Sequence, residues 1–131
     1  MATLTNKTSI LIVEDESYLR ELYVDIFTQD GFKVDAAKDG NEAYDKMNHH
    51  EYDLILLDII LPGMDGMQVL DKLVKEKKVK LSNVVLLTNL SQDIVIAKAL
   101  DYGVRGYLIK SDYTPEELLK ETRSFLKNSH A

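Results

Sequence analysis

Five short apolar runs alternate with amphipathic stretches along the chain. The runs occupy residues 9–13, 32–36, 54–57, 84–87 and 107–109, and their length and branched side chains predict strands. LILL at 54–57 and VVLL at 84–87 leave no polar face, as expected of strands covered on both sides. Between the runs, Leu19, Leu22, Tyr23, Ile26 and Phe27 recur at the spacing that gathers side chains on one helical face, as do Met67, Leu70 and Val74. Both stripes are expected to pack on the sheet, and neither calls for a cofactor.

Helix punctuation supports the same alternation. Gly31 follows the first helical stretch, Asp39 and Gly40 precede the second, Gly103 follows the fourth, and TPEE at 114–117 looks like a capped start to the fifth. There is no internal repeat or low-complexity segment. Five successive βα units favour the α/β class: a parallel sheet, right-handed crossovers and helices on both faces. In such sheets sites form outside the carboxyl ends of the strands.

Composition narrows the range of functions. With 131 residues, 45% of them apolar and 29% charged, the chain has the makings of one packed domain. A formal net charge of −6 argues against general attraction to nucleic acid or anionic membrane. The absence of cysteine removes disulfides, thiolate metal sites and cysteine nucleophiles. The N-terminal MATLTNK is polar, and the apolar run at 10–13 is far too short for a signal-peptide core or a membrane span. A cytoplasmic location, without membrane insertion or direct nucleic-acid contact, is expected.

The strand ends carry the candidate chemistry. Glu14 and Asp15 follow the first run, Asp58 the third, Thr88 the fourth and Lys110 the fifth. Each alone has an ordinary explanation, since acids suit helix N-termini, threonine caps helices and lysine is a common surface residue. Together they are more informative. Three carboxylates in one cleft repel by about 4 kcal/mol per close pair at a surface-like dielectric. Lys110 offsets one charge, and a hard, oxygen-preferring divalent ion such as Mg²⁺ would offset the rest. That arrangement suits phosphoryl transfer, with Asp58 as the nucleophile and Lys110 and the Thr88 hydroxyl binding phosphoryl oxygens.

The same residues resemble the receiver domain of two-component response regulators. The resemblance runs from about Thr8 to Lys127 and rests on ILIVEDE with Glu14 and Asp15, YDLILLDIILPGMDG with Asp58, VVLLTN with Thr88, and YGVRGYLIK with Tyr107 and Lys110. It implies a flavodoxin-like (βα)5 three-layer sandwich with a parallel sheet of order 2-1-3-4-5. Residues 8–128 would form the receiver, flanked by a polar tail at 1–7 and a short tail at 129–131. It implies a phosphoacceptor regulator rather than an enzyme, phosphorylated on Asp58 by a sensor histidine kinase or histidine phosphotransfer protein. Asp15, Asp58 and the main-chain carbonyl of Ile60 would bind Mg²⁺, with Glu14 reaching it through water; the Ile60 side chain is no ligand. Tyr107 would be an aromatic switch that turns inward when Thr88 moves, although it also reads as a half-buried strand tyrosine.

Three departures from that pattern stand out. Asn89 replaces the small residue usual after the threonine, where its bulk and amide would crowd or hydrogen-bond the phosphoryl group. Ser111 replaces the usual proline after the lysine, so a cis peptide there would cost about 2.5–4 kcal/mol and is not expected. Ile60 and Leu90, two residues beyond Asp58 and Thr88, offer no hydrogen bond to a hydrolytic water, which predicts slow self-dephosphorylation.

Other features read more plainly. His49 and His50 fall near the end of the second helix, where histidine suits the helix dipole. The run KEKKVK at 75–80 reads as a solvated helix end. Ile94, Val95 and Ile96 are consecutive on the fourth helix, so one must be exposed. Beside Tyr107, that surface is a candidate face for an unknown downstream protein or for a second copy, giving a monomer or a phosphorylation-dependent homodimer. A flavin-binding flavodoxin conflicts with the acids after the first strand, which would repel the cofactor's phosphate. No P-loop is present, and an aspartyl-phosphate hydrolase would need an acid where Ile60 stands. The remaining alternative is an adaptor that uses this fold without phosphorylation.

Overall fold

The computed structural model describes residues 8–76, 81–90 and 92–128. The expected tails at 1–7 and 129–131, and most of the basic run, lie outside the described residues. The strands are β1 (Ser9–Val13), β2 (Lys33–Ala37), β3 (Leu54–Leu57), β4 (Val84–Thr88) and β5 (Gly106–Ile109). The helices are α1 (Ser17–Gln29), α2 (Gly40–His49), α3 (Gly66–Glu76), α4 (Asp93–Asp101) and α5 (Pro115–Asn128). Single 3₁₀ turns precede β4 and follow β5. The sheet is five-stranded and parallel, in the order β2-β1-β3-β4-β5.

The period-two alternation of each central strand feeds two cores. Ile10, Ile12, Leu54, Leu56, Val85 and Leu87 point to one face, where Tyr23 and Phe27 of α1 and Leu118 of α5 cover them. Leu11, Val13, Ile55, Leu57, Val84 and Leu86 point to the other. There they meet Ala43 and Met47 of α2, Val69, Leu70 and Leu73 of α3 and Ala99 of α4. This is the flavodoxin-like three-layer α/β sandwich expected, and it explains why the central runs lack a polar face.

The differences from the sequence reading are small and local. β2 begins and ends one residue later than expected, at Lys33 and Ala37: it is an edge strand, and its bounds follow pairing with β1 rather than its apolar residues. β4 extends to Thr88 because Thr88 pairs with Ile109. On α3 the fully buried residues are Val69, Leu70 and Leu73, whereas Met67 and Val74 pack only in part. The actual buried stripe is therefore rotated from the one read in sequence. On α4, Ile94 is exposed and Ile96 buried, as the consecutive triplet required.

Capping follows the expected chemistry. Asp39 accepts from the Glu42 N–H at the start of α2. Thr114 and Glu117 form a reciprocal capping box, the Glu117 N–H donating to Thr114 Oγ1 at 3.1 Å and the Thr114 N–H to Glu117 Oε1 at 2.8 Å. An equivalent box, not read from sequence, joins Asp65 and Gln68 at the start of α3. Gly103 follows α4 with φ of 97°, the left-handed conformation that ends helices and favours glycine.

Candidate acidic site at the carboxyl edge of the sheet

Strand register brings the candidate residues to one rim. Val13 pairs with Leu57, so Glu14 and Asp58, the next residues of each strand, emerge side by side. Thr88 and Ile109 form the last rung between β4 and β5, which places Lys110 one step beyond. Glu14, Asp58 and Thr88 are all buried, with 2%, 3% and 0% of their surface exposed, while Asp15 is exposed. One carboxylate oxygen from each of Glu14, Asp15 and Asp58 lies within 4.8 Å of the others.

Lys110 is the electrostatic partner of this cluster. Its Nζ donates to Asp58 Oδ2 and to Glu14 Oε1, each at 2.6 Å. Burial would lower the lysine pKa, but the hydrogen bonds and charges of Asp58 and Glu14 outweigh it and hold the ammonium above its ordinary value. Burial likewise raises the pKa of Tyr23, against the opposing pull of Lys110 and with the added push of Glu14 and Asp58. One cation thus faces three acids, and charge neutrality is not reached by these four groups. The donors offered are all oxygens, the set that suits a hard divalent ion.

Main-chain groups hold the acids in place. The Ile60 N–H donates to Asp58 Oδ1 at 3.0 Å, so both Asp58 oxygens are engaged. The Glu16 N–H donates to Glu14 Oε2 at 3.0 Å. Thr88 Oγ1 accepts from the Leu90 N–H at 3.1 Å. The Ile60 side chain is exposed and takes no part.

Two supports were not read from sequence. Arg20, one turn into α1, donates from Nη1 to the carbonyls of Glu14 and Asp15 at 2.9 and 3.2 Å, tying down the acidic loop. Gly66 opens α3 against the back of the site: a Cβ there would stand 2.5 Å from the Asp58 carbonyl oxygen and 2.7 Å from Ile59 Cα. The Gly66 N–H donates to the Ile59 carbonyl at 2.8 Å. A glycine in a PGMDG turn is expected for the turn itself; that it must also admit the Asp58 backbone is visible only in three dimensions.

Asn89 makes a contact not expected from sequence. Its Oδ1 accepts from the Ser111 N–H at 2.8 Å, so this oxygen is turned to the β5 loop. Tyr107 is 44% exposed and pairs through its backbone with Leu86. His49 Nδ1 lies 2.8 Å from the Asp45 carbonyl one turn back on α2 and 3.3 Å from Asp45 Oδ1.

Comparison with known proteins identifies the family. Residues 10–123 match the response regulator receiver domain family. The chain is 34% identical over 120 residues to the response regulator ArlR of Staphylococcus aureus, covering 92% of this chain and 53% of that protein. It is 31% identical over 125 residues to the transcriptional regulatory protein ResD of Bacillus subtilis, covering 95% and 50%. The chain therefore spans about half the length of these relatives. Among solved structures, a CheY-like response regulator receiver domain protein from Methanospirillum hungatei superposes with a TM-score of 0.81 at 26% identity, over 94% of this chain and 96% of that one. A two-component response regulator from Clostridium difficile gives 0.79 at 28% identity, over 95% and 99%. The chain belongs to the response regulator receiver domain family of two-component signalling, whose members are phosphoacceptor regulators rather than classical enzymes.

Proposed function

We propose that this receiver is a phosphorylation-driven switch in which Asp58 takes a phosphoryl group from a phosphohistidine. Family membership implies a histidine kinase partner; the immediate donor is that kinase or a histidine phosphotransfer protein. The observation that carries the reading is Asp58 itself, buried at the sheet rim, with Glu14 and Asp15 within 4.8 Å and Lys110 at 2.6 Å. A carboxylate oxygen of Asp58 attacks phosphorus, a P–O bond forms, and the P–N bond breaks with its electron pair returning to the imidazole. The Lys110 ammonium and the Thr88 hydroxyl bind phosphoryl oxygens at the carboxyl ends of β5 and β4.

The surplus negative charge of the site suits Mg²⁺. Asp15, Asp58 and the Ile60 carbonyl would hold it directly and Glu14 through water. When bound, the ion neutralises charge on the transferring phosphoryl oxygens. Phosphorylation adds charge and acceptor oxygens beside Thr88. The Thr88 loop is then drawn inward and Tyr107 turns from its exposed position to follow it. The output is control of a protein partner, or of a second copy, through the surface of α4 and β5, where Ile94, Leu100 and Tyr107 are exposed.

Acetyl phosphate or beryllofluoride with Mg²⁺ tests the reading. The expected result is the mass gain of one phosphoryl group and a spectral change with the fluoride, both lost in Asp58→Asn. No mass gain, no spectral change and no effect of Asp58→Asn would instead mark the protein as an adaptor that works without phosphorylation. Among the described residues no helix is long and apolar enough to cross a membrane.

A further inference from the structure

Asn89 and Ser111, two of this chain's departures from the receiver pattern, meet each other. Asn89 Oδ1 accepts from the Ser111 backbone N–H at 2.8 Å across 22 residues of sequence. A proline at 111 would have no N–H to give, and a small side chain at 89 would lack the acceptor. The bond therefore exists only because both positions differ at once.

Its place in the fold gives it leverage. Thr88 and Ile109 form the last rung of the β4 and β5 ladder, and the side-chain bond adds one tie beyond the end of the sheet. Ser111 lies in the 3₁₀ turn Lys110–Asp112, whose own N-cap, Ile109, provides no side-chain hydrogen bond. The first amides of such a turn have no partner within it, and Asn89 supplies one from the neighbouring loop. Asn89 directly follows Thr88, and Ser111 directly follows Lys110. The two residues bonded are thus the immediate neighbours of Lys110, which contacts Asp58, and of Thr88, the buried residue that ends β4.

We propose that Asn89 is a positioning residue: by capping the turn at the Ser111 N–H, it fixes the path along which Lys110 leaves β5 and sets the spacing between Lys110 and Thr88 before a phosphoryl group arrives. This rests on the reading of Thr88 and Lys110 as phosphoryl-binding groups. It makes the paired loops one element, so that a movement of Thr88 is passed to Lys110 rather than absorbed in an independent loop.

The test compares the full chain with Asn89→Ala, Ser111→Pro and the double variant, all first checked for cooperative unfolding. The rate of phosphorylation by acetyl phosphate with Mg²⁺ is followed by intact mass. Each single variant should lower the maximal rate by about fivefold, the scale of one exposed hydrogen bond, with the half-saturating donor concentration unchanged. The double variant should be no slower than either single one, since both remove the same bond. The NMR signals of the Lys110 side chain should shift in both singles. Additive losses in the double variant, or unchanged maximal rates, would show that the bond merely stabilises the loop and would overturn the proposal. If the wild-type chain takes up no phosphate, the phosphoacceptor reading fails; the Lys110 signals then decide the positioning role separately, supporting it if they shift in both singles and ending it if they do not.

Discussion

The ammonium of Lys110 stands 2.6 Å from Asp58 Oδ2 and, with its other hydrogen bond, 2.6 Å from Glu14 Oε1. The residue directly after β5 thus holds together the acids that directly follow β1 and β3. Lys110→Ala leaves Glu14 and Asp58 facing each other at a buried rim. The expected loss is about 3 kcal/mol, the lower end of the cost of stripping a partner from buried charge, seen as a lower urea midpoint. Millimolar Mg²⁺ should restore more stability to the variant than it adds to wild type, because the ion takes over the offsetting charge. Equal gains in the two proteins would count against a cation site at these acids.

Gly66 is fixed by the backbone behind Asp58. Gly66→Ala places a methyl group 2.5 Å from the Asp58 carbonyl oxygen, and neither side of that contact is a flexible side chain. The expected cost is about 1–3 kcal/mol, the range for overpacking a close contact, accompanied by displaced Asp58 amide signals in NMR. A variant with wild-type stability and an unmoved Asp58 would mean that α3 can shift without disturbing the site.

Stability at low pH should depend on a polar network on the edge of the sheet away from Lys110. Asp35 of β2 accepts from Lys46 Nζ at 2.8 Å, from Tyr52 OH at 2.7 Å and from the Ala36 N–H at 2.9 Å. Burial works to raise its pKa, but these hydrogen bonds and the Lys46 charge leave it below the ordinary value of 3.8. A carboxylate lowered in the folded state contributes stability above its unfolded pKa, and that contribution is lost as pH falls through the folded value. Asp35→Asn should therefore cost up to about 0.5 kcal/mol near neutrality, after solvent screening of a partly exposed pair. The difference from wild type should close below pH 4 or so. A gap in urea midpoints that persists unchanged into that acid range would point to packing rather than charge.

The aspartyl phosphate should be long-lived. Ile60 is exposed and apolar, and Leu90 packs in part against the core, so neither can orient a hydrolytic water. An Ile60→Asn, Leu90→Glu double variant should lose its phosphoryl group roughly tenfold faster than wild type under the same Mg²⁺ conditions, a gain below the usual span of proton-transfer assistance. Decay of the wild-type phosphoprotein at the variant's rate or faster would refute this.

Much of the architecture was legible along the chain because it follows from local rules. Continuous apolar runs required two covered sheet faces, helical stripes required partners on them, and TPEE at 114–117 carried its capping box in its own residues. The acids, Thr88 and Lys110 could be picked out because strand ends in a parallel sheet share one rim. The edges were harder to read: the bounds of β2 and β4 were set by the neighbouring strand, and the buried stripe of α3 by which side of the helix met the sheet.

What the sequence by itself determined is the set of groups available at the rim and the chemistry they support, since side-chain type and the succession of strands along the chain are both written in it. What only the tertiary structure decided is which of those groups touch. That Lys110 bridges Glu14 and Asp58, that Arg20 braces the acidic loop, that Gly66 must admit the Asp58 carbonyl and that Asn89 reaches Ser111 all depend on register and distance between segments far apart in the chain. Such contacts are fixed to within tenths of an ångström by the packing of the whole sheet, and no pattern along one strand encodes them.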